Sequence, residues 1–321
     1  MTTGASSGRR VVALGGGHGL AMTLRALRLL GIEPIAIVGT GDDGGSSGRL
    51  REHLGVPPPG DLRMALAALS GDPRDDSERQ GLWLRVLQHR FGGSGDVEGH
   101  ALGNLILVAL WQELGDVVGG LDRLGQLLDA RGRVFPNSLD PVLVVADVVD
   151  GDGHVGEVRG QARLTMTRGV VSELRLEPAE PRPCREAIDA ADGADVILLG
   201  PGSWFTSVLP HLRIPALRES LARSTARKVL ILNAGPQRGE TEDFTAASHL
   251  RSWADLVPDV RLDVVLADPE AVEDTGTLAA ACRRVGAHLH LADVLRGPGV
   301  HDPARLSSAL EPLLAVEPLS Y

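Results

Sequence analysis

Four short apolar runs in this chain lead directly into loops of glycine, serine, asparagine or aspartate. The loops begin at Gly15, Gly39, Gly200 and Asn233, and the first is followed by leucines at helical spacing. This pattern predicts strand, tight loop and helix in succession. In an open parallel sheet such loops emerge along one edge, where ligands bind outside the carboxyl ends of the strands. We therefore predict an α/β fold with a Rossmann-like parallel sheet, helices on both faces and one ligand crevice.

The remaining periodicity subdivides the chain. We predict a single Rossmann-like α/β domain over residues 9–321, which contains a helical region at 61–130 and a β-rich insertion at 140–178. The helical region is expected to be helical throughout. Inside the insertion, "DGDG" at 150–153 is typical of a hairpin turn. Residues 1–8 are expected to form a disordered N-terminus.

Composition excludes several classes of protein. A net charge of -10 opposes binding to a nucleic acid. No apolar run approaches the roughly 18 residues of a membrane span, and the start lacks the apolar core of a signal peptide, so we expect no membrane insertion and a cytoplasmic location. Cys184 and Cys282 lie far apart, without the spacing of a zinc site or a disulfide framework, so no metal site is predicted.

The first glycine loop, "GGGHGL", resembles a dinucleotide fingerprint, but Leu20 stands where its third glycine belongs. Gly16 and Gly17 would let a phosphate approach the backbone at a helix N-terminus. The alternative is a tight turn without a ligand. His18 is either a ligand contact or a capping polar residue.

The second loop, "TGDDGGSSGRLR", places Asp42 and Asp43 at the end of the second strand. One carboxylate could hold a sugar hydroxyl or a Mg²⁺ on a phosphate, but adjacent side chains point to opposite sides, so both should not act on one atom. Ser46, Ser47 and Arg49 are candidate phosphate donors. The alternative is a solvated turn with surface charges.

Polar residues also occur in the predicted helical region. Asp61 and Arg63 open a helix, either as ligand contacts or as an N-cap with its structural partner. His100 and Asn104 are four residues apart, which predicts one helical face. That face either meets a ligand or forms a buried hydrogen bond between helices.

The later loops offer mainly neutral hydrogen-bonding groups. "GPGSWFTS" is not a nucleophile elbow, because Phe205 stands where glycine is required, so Ser203 is a better donor to a ligand than an attacking group. "NAGPQRGET" adds donors and acceptors suited to uracil or sugar hydroxyls. No catalytic triad, Cys-His pair or zinc set is evident, which favours binding over catalysis.

In this order, "ALGGGHGL", "DDGGSSGRLR", "PPGDLR", "GHALGNL", "ADVILLGPGS" and "GET" resemble the YvcK-like branch of the YvcK and CofD family. "DDGGSSGRLR" followed by "PPGDLR" favours this branch over the CofD branch of 2-phospho-lactate transferases. The resemblance implies binding of UDP-N-acetylglucosamine and a regulatory role in cell-wall synthesis, cell shape and growth on gluconeogenic carbon sources. It implies no established catalytic activity. The ligand-binding residues it implies are Gly16, Gly17, Asp42, Asp43, Ser46, Ser47, Arg49, Asp61, Arg63, His100, Asn104, Gly200, Gly202, Ser203, Thr206, Asn233, Gln237, Glu240 and Thr241.

The chain departs from the family pattern at several positions. His18 stands where threonine is usual, Trp204 and Phe205 where Leu-Tyr is usual, and Val300 where arginine is typical. Two functions remain open. One is a nucleotide-sugar sensor that passes its state to a regulatory protein partner without turnover. The other is a Mg²⁺-dependent phosphoryl-type transferase, in which Asp42 or Asp43 holds the metal. A homodimer is one option for the assembly, and no cofactor is fixed.

Overall fold

The structure is a computed structural model that describes residues 8–71, 78–235, 237, 240–242, 244–297 and 299–315. Residues 1–7, most of the predicted disordered N-terminus, lie outside the described residues. The strands are β1 Val11–Gly15, β2 Ile35–Val38, β3 Arg133–Pro136, β4 Leu143–Val149, β5 Val155–Arg159, β6 Val170–Glu177, β7 Val196–Leu199, β8 Arg227–Ile231, β9 Val264–Ala267, β10 His288–Leu291, β11 Leu295–Gly297 and β12 Val300–His301.

The helices alternate with these strands through much of the chain. They are α1 Gly17–Leu29, α2 Gly45–Leu54, α3 Pro59–Leu69, α4 Glu78–Gln88, α5 Leu102–Leu114, α6 Val117–Leu127, α7 Gln161–Leu164, α8 Arg185–Asp192, α9 Pro215–Arg223, α10 Ala246–Leu256, α11 Thr275–Arg284 and α12 Pro303–Leu310. A π-helical turn at Trp204–Val208 and 3₁₀ turns at Leu209–Arg213 and Pro269–Ala271 complete the set.

Seven strands form one parallel sheet in the order β10-β9-β8-β7-β1-β2-β3. β1 is buried along its whole length, as expected for a strand covered on both faces. Its alternate residues enter two different cores, since Val12 and Leu14 pack in one cluster and Val11 and Ala13 in the other. The predicted Rossmann-like parallel sheet with helices on both faces is confirmed.

Among its described residues the predicted helical region holds four helices, but the prediction of helix throughout is wrong for residues 89–101. α4 ends at Gln88, and the chain reaches α5 through turns held by backbone hydrogen bonds. Gly93, Gly95 and Gly99 all have positive φ angles, which a right-handed helix does not allow. Residues 72–77 of the same region lie outside the described residues.

A separate antiparallel sheet, in the order β5-β4-β6, lies within residues 140–178, where the sequence is β-rich. The predicted hairpin turn is present, because Asp150 donates its backbone N–H to the His154 carbonyl between β4 and β5. Val144 and Ala146 of β4 pack in the same core as Val12. Thus this sheet shares a core with the parallel sheet.

In the part of the chain that the structure describes, no helix combines the length and the apolar character needed to cross a lipid bilayer.

Candidate functional site

The four loops singled out in the sequence all leave the same edge of the parallel sheet. They follow β1, β2, β7 and β8, which are consecutive neighbours in the sheet. From β1 the order runs through β2 to β3, whereas from β7 it runs the other way through β8 to β10. The order therefore reverses between β1 and β7, and this is where α/β sheets place their ligands.

The N-terminus of α1 is capped by a carboxylate from another helix. Gly16 is the N-cap residue and offers no side chain, while Asp61 accepts a hydrogen bond from the backbone N–H of Gly17. A Cβ on Gly16 would lie 2.5 Å from Asp61 Oδ2, so only glycine allows this approach. Asp61 was one candidate for the N-cap of its own helix, and that assignment is wrong, because α3 begins at Pro59.

Asp61 and Asp42 place two carboxylates at this edge. Asp42 accepts the backbone N–H of Gly44 at 3.0 Å, and a Cβ on Gly60 would lie 3.3 Å from its Oδ2 atom. Burial raises the pKa of Asp61 to about 7, and the charge of Asp42 adds to the rise. The hydrogen bond from Gly17 and the charge of Arg63 oppose it. Asp61 is therefore partly protonated near neutral pH.

Asp43 points elsewhere. Its carboxylate accepts the backbone N–H of Ala162 at 2.9 Å, and a Cβ on Gly160 would lie 2.1 Å from its Oδ2 atom. The two adjacent carboxylates therefore accept from different backbone amides, Asp42 from Gly44 and Asp43 from Ala162. Among the described residues, the Asp43 carboxylate has no hydrogen bond to another candidate residue, and it joins the loop after β2 to the start of α7.

Arg63 is a buried cation without a full set of partners. Its side chain is 4% exposed, and Nε and Nη1 have no hydrogen-bond partner among the described residues. A Cβ on Gly103 would lie 2.8 Å from Arg63 Cδ, so the side chain lies against the first turn of α5. Burial lowers its pKa to about 10, and the charge of Arg90 contributes, against Asp61 and Asp42. The group still stays charged and has hydrogen bonds to donate.

Ser46 links two helices through its hydroxyl. Its Oγ atom lies 2.9 Å from His100 Nδ1 and 2.9 Å from Asn104 Nδ2. The Asn104 amide donates to the Ser46 oxygen, which leaves the hydroxyl hydrogen to donate to His100 Nδ1. Burial, aided by the charge of Arg49, lowers the pKa of His100 and so favours this accepting form of the ring. The prediction of one helical face is wrong for His100, which precedes α5. The two side chains meet at Ser46 instead.

Other predicted phosphate donors are engaged within the protein. Ser47 Oγ accepts the backbone N–H of Gly60 at 3.1 Å, and so satisfies an amide at the start of α3. Arg49 donates to the Glu98 carbonyl, which holds the loop between α4 and α5. His18 is exposed in the first turn of α1.

Hydrogen bonds between neutral groups connect the loops after β7 and β8. Asn233 Oδ1 accepts the backbone N–H of Gly202 at 2.8 Å, and its Nδ2 donates to Gln237 at 3.1 Å. The backbone N–H of Gln237 in turn donates to Thr241 Oγ1 at 3.1 Å. Gly200 has a φ angle of 73°, which explains the glycine at the end of β7.

Glu240 is buried among the residues of the loops after β7 and β8. It accepts hydrogen bonds from Ser203 Oγ and from the backbone N–H of Phe205, at the start of the π-helical turn that also holds the buried Thr206. Burial raises the pKa of Glu240, although these hydrogen bonds oppose the rise. A cavity of about 280 Å³ opens beside Glu240 and Thr241 and is also lined by Arg168, Val170 and Phe244. It approaches the lower end of the volumes typical of small-molecule sites.

The two groups of residues meet at the switch point. A Cβ on Gly19 would lie 2.1 Å from the Pro201 carbonyl oxygen, and a Cβ on Gly16 would lie 3.6 Å from Ser207 Oγ. The first turn of α1 therefore packs directly against the loop after β7. The candidate site is one continuous edge, with Asp42, Asp61 and Arg63 on one side of α1 and mainly amide and hydroxyl groups, together with Glu240, on the other.

Sequence reasoning missed three buried polar residues at this edge. Thr40, Asn137 and His211 are each at most 1% exposed and are connected by hydrogen bonds. Asn137 directly follows β3, so the strand-to-polar-loop pattern could have identified it. His211 lies in an apolar stretch without such a signal.

A hairpin cluster of possible metal ligands lies apart from this edge. Ligand atoms of Asp150, Asp152 and His154 lie within 4.8 Å of one another, and all three residues are exposed. Asp150 Oδ1 accepts the backbone N–H groups of Asp152 and His154, so the turn itself accounts for the cluster.

Comparisons with known proteins establish the family of this chain. The model of the family "2-phospho-L-lactate transferase CofD" matches residues 11–295. A Mycobacterium leprae protein named "Putative gluconeogenesis factor" is 44% identical over 94% of this chain and 85% of its own length. The "Gluconeogenesis factor" of Halalkalibacterium halodurans is 39% identical over 83% and 80%, respectively. A crystal structure of a UPF0052 family member from Bacillus halodurans matches with a TM-score of 0.84 and 33% identity, over 96% of this chain and 99% of that one. The chain therefore belongs to the YvcK and CofD family.

Proposed function

We propose that this protein binds UDP-N-acetylglucosamine at the carboxyl edge of its parallel sheet and acts as a regulator of cell-wall synthesis, cell shape and growth on gluconeogenic carbon sources. The gluconeogenic role is supported by relatives that carry the name gluconeogenesis factor at 37–39% identity. The nucleotide sugar is the ligand implied by the motif resemblance. A regulatory protein partner would read the bound state.

Arg63 is the observation that carries the proposal. Burying a guanidinium without hydrogen-bond acceptors is costly, so its two unpartnered nitrogen atoms call for an anion. The N-termini of α1 and α2 begin at glycines without side-chain caps of their own. Helix N-termini of this kind favour phosphate groups. A diphosphate at this edge would supply the missing acceptors.

The groups on the other side of α1 suit the uncharged parts of such a ligand. Asn233, Gln237 and Thr241 are amides and a hydroxyl that now bond to one another, and they can exchange these bonds for bonds to a sugar or a base. The cavity beside Glu240 and Thr241 offers adjoining space. These features match a neutral moiety better than a second anion.

Turnover is not part of the proposal. The relatives are named as gluconeogenesis factors, so the transferase alternative is not favoured. Of the two aspartates that could hold Mg²⁺ in a transferase, Asp42 has its carboxylate at the candidate site, whereas the Asp43 carboxylate bonds to the backbone of Ala162. We therefore expect ligand binding that does not depend on a divalent cation.

Isothermal titration calorimetry tests the proposal. The wild-type protein would be titrated with UDP-N-acetylglucosamine, UDP-glucose and GDP, each with EDTA and with Mg²⁺. We expect binding of the acetylated sugar in both conditions. Binding of GDP alone, and only with Mg²⁺, would refute the proposal and favour the transferase.

A matched pair of variants locates the site. Arg63→Met removes the buried guanidinium and should weaken binding by about tenfold or more, since a charged hydrogen bond contributes roughly 1.5–3 kcal/mol. Arg133→Met removes an exposed arginine at the start of β3 that forms a salt bridge with Asp122 of α6. This variant should bind the ligand as the wild type does. Equal affinities for the two variants would place the ligand elsewhere.

A further inference from the structure

A chain of buried side chains ties together the ends of three neighbouring strands. Gly15 ends β1, Thr40 follows β2 by two residues, and Asn137 directly follows β3. His211 comes from the 3₁₀ turn beyond β7. The side chains of Thr40, Asn137 and His211 are fully enclosed by protein. They therefore bond to each other and to the backbone.

The contacts run from one strand end to the next. His211 Nε2 lies 3.1 Å from the Gly15 carbonyl oxygen, which also accepts the Gly39 N–H at 3.0 Å. His211 Nδ1 lies 3.3 Å from Asn137 Nδ2. Asn137 Oδ1 lies 3.1 Å from the backbone N of Thr40 and 2.9 Å from its Oγ1.

Donor and acceptor rules fix the orientation of the Asn137 amide and the position of the proton on the His211 ring. The backbone N–H of Thr40 can only donate, so the Asn137 oxygen faces Thr40 and its NH₂ group faces His211. His211 Nδ1 must then accept and Nε2 must carry the proton that is donated to Gly15. Burial lowers the pKa of His211 to about 4, against the opposing influence of the Gly15 and Ser207 backbone, so the ring is neutral and has a single proton to donate.

This series of hydrogen bonds ends where the candidate site begins. Gly15 precedes the Gly16 N-cap of α1, and Thr40 lies two residues before Asp42 and five before the start of α2. Its third component, His211, belongs to the segment that begins with Ser203 and the π-helical turn. One set of hydrogen bonds thus sets the relative positions of three loops that are distant in sequence.

We propose that His211 and Asn137 are positioning residues of the ligand site, which act through Gly15 and Thr40 to hold the N-termini of α1 and α2 toward one ligand. The ligand part of this inference rests on the proposed function. The two residues themselves do not touch the ligand. Their replacement should misplace the backbone amides that do, and small misplacements of binding groups are costly.

The test compares His211→Leu with His211→Gln. Leucine fills the space without hydrogen bonds, whereas the glutamine amide can donate to Gly15 and accept from Asn137. We expect His211→Leu to weaken binding of UDP-N-acetylglucosamine by about tenfold or more, and His211→Gln to restore most of it. Hydrogen exchange of the amides at residues 16–18 and 41–45 should become faster in the leucine variant only.

Two further variants make the result decisive. Ser220→Ala removes another fully buried hydroxyl, which bonds to Asp192 at 2.6 Å near the amino ends of β7 and β8, and should change neither affinity nor exchange in these loops. Thr40→Val removes only the last side-chain link and serves if His211→Leu does not fold. It should give a smaller loss in the same direction.

The exchange measurement separates this inference from the proposed function. If the wild type does not bind the nucleotide sugar, the proposed function fails, and faster loop exchange in the variants would still support the positioning role. If the loops of His211→Leu and Thr40→Val exchange as those of Ser220→Ala do, the inference is wrong. Nitrogen-15 chemical shifts of the His211 ring give a second check. A proton on Nδ1 in place of Nε2 would contradict the proposed hydrogen bonds to Asn137 and Gly15.

Discussion

Asp61 and Arg63 lie two residues apart in α3, and both are ionisable groups in unfavourable surroundings. Asp61 is a carboxylate that burial and Asp42 hold partly protonated, while it caps the N-terminus of α1. Arg63 is a buried guanidinium, and two of its nitrogen atoms have no hydrogen-bond partner in the described part of the chain. Perturbed pKa values and unsatisfied buried groups concentrate at functional sites. Both residues therefore mark the edge that the strand order also selects.

Asp61 should make folding stability depend on pH. Its folded pKa of about 7 lies above its unfolded value, so the folded state holds the proton more tightly and stability falls as pH rises from about 4 to about 7. Asp61→Asn removes this loss and can still accept the Gly17 N–H. Between pH 5 and 7.5 we expect the free energy of unfolding to fall by about 2 kcal/mol more in the wild type than in the variant. Denaturant titrations at both pH values measure this.

Asp140 provides a control of opposite sign. Its hydrogen bond with Arg182 lowers its pKa, so its contribution to stability is present above the unfolded pKa and is lost as pH falls through the folded pKa. Asp140→Asn should therefore cost stability at pH 7.5. If Asp61→Asn showed the same pH dependence as the wild type, the raised pKa would be wrong.

At the scale of elements, the close packing of α1 on the loop after β7 assembles the site. The strand, loop and helix order of this region could be predicted from sequence because it depends on local periodicity. The directions of Asp43 and Asp61 could not, since each bonds to a segment distant in sequence. The break at 89–101 was missed because its apolar flanks have helical spacing, whereas its glycines adopt positive φ angles.

Gly19→Ala tests the α1 contact. Alanine normally favours a helix interior by about 1 kcal/mol over glycine, but here its Cβ would lie 2.1 Å from the Pro201 carbonyl oxygen. We expect the clash to outweigh propensity and destabilise the protein by about 1–3 kcal/mol, measured by denaturant unfolding. Gly156→Ala in β5, with no atom within 4 Å of the new Cβ, should change stability by less than about 0.5 kcal/mol. Equal effects would show that the contact is not tight.

Asp43→Ala tests the link between the loop after β2 and α7. Loss of the bond to Ala162 should speed hydrogen exchange at residues 160–165 while leaving ligand affinity within about twofold of wild type, because Asp43 faces away from the candidate site. Asp42→Ala should do the reverse and weaken binding. If Asp43→Ala lost binding as strongly, the ligand would extend to the antiparallel sheet.

At the scale of the whole molecule, the described residues form two hydrophobic cores that share the parallel sheet. Val12 and Leu14 face one core, Val11 and Ala13 face the other, and the antiparallel sheet joins the first. Fold class could be predicted from sequence because buried parallel strands read as continuous apolar runs. The shared strands also bear on the predicted single domain. Because β1 contributes residues to both cores, displacing it would expose both of them to solvent.

We therefore expect one cooperative unfolding transition. Trp111 reports on one core, whereas Trp204 and Trp253 report on the other. In tryptophan-to-phenylalanine variants that keep only one of these reporters, fluorescence midpoints in denaturant should coincide. Two separated midpoints would indicate two folding units and contradict the single-domain prediction.

Under the proposed function, the incompletely hydrogen-bonded Arg63 has a consequence for the living cell. A ligand that binds only the folded state at 100 times its dissociation constant stabilises it by about 2.7 kcal/mol. Protein that lacks its ligand therefore unfolds more often and is exposed more to cellular proteases. The amount of this protein in a cell should then rise and fall with the supply of its ligand, so that a buried arginine links protein lifetime to metabolism.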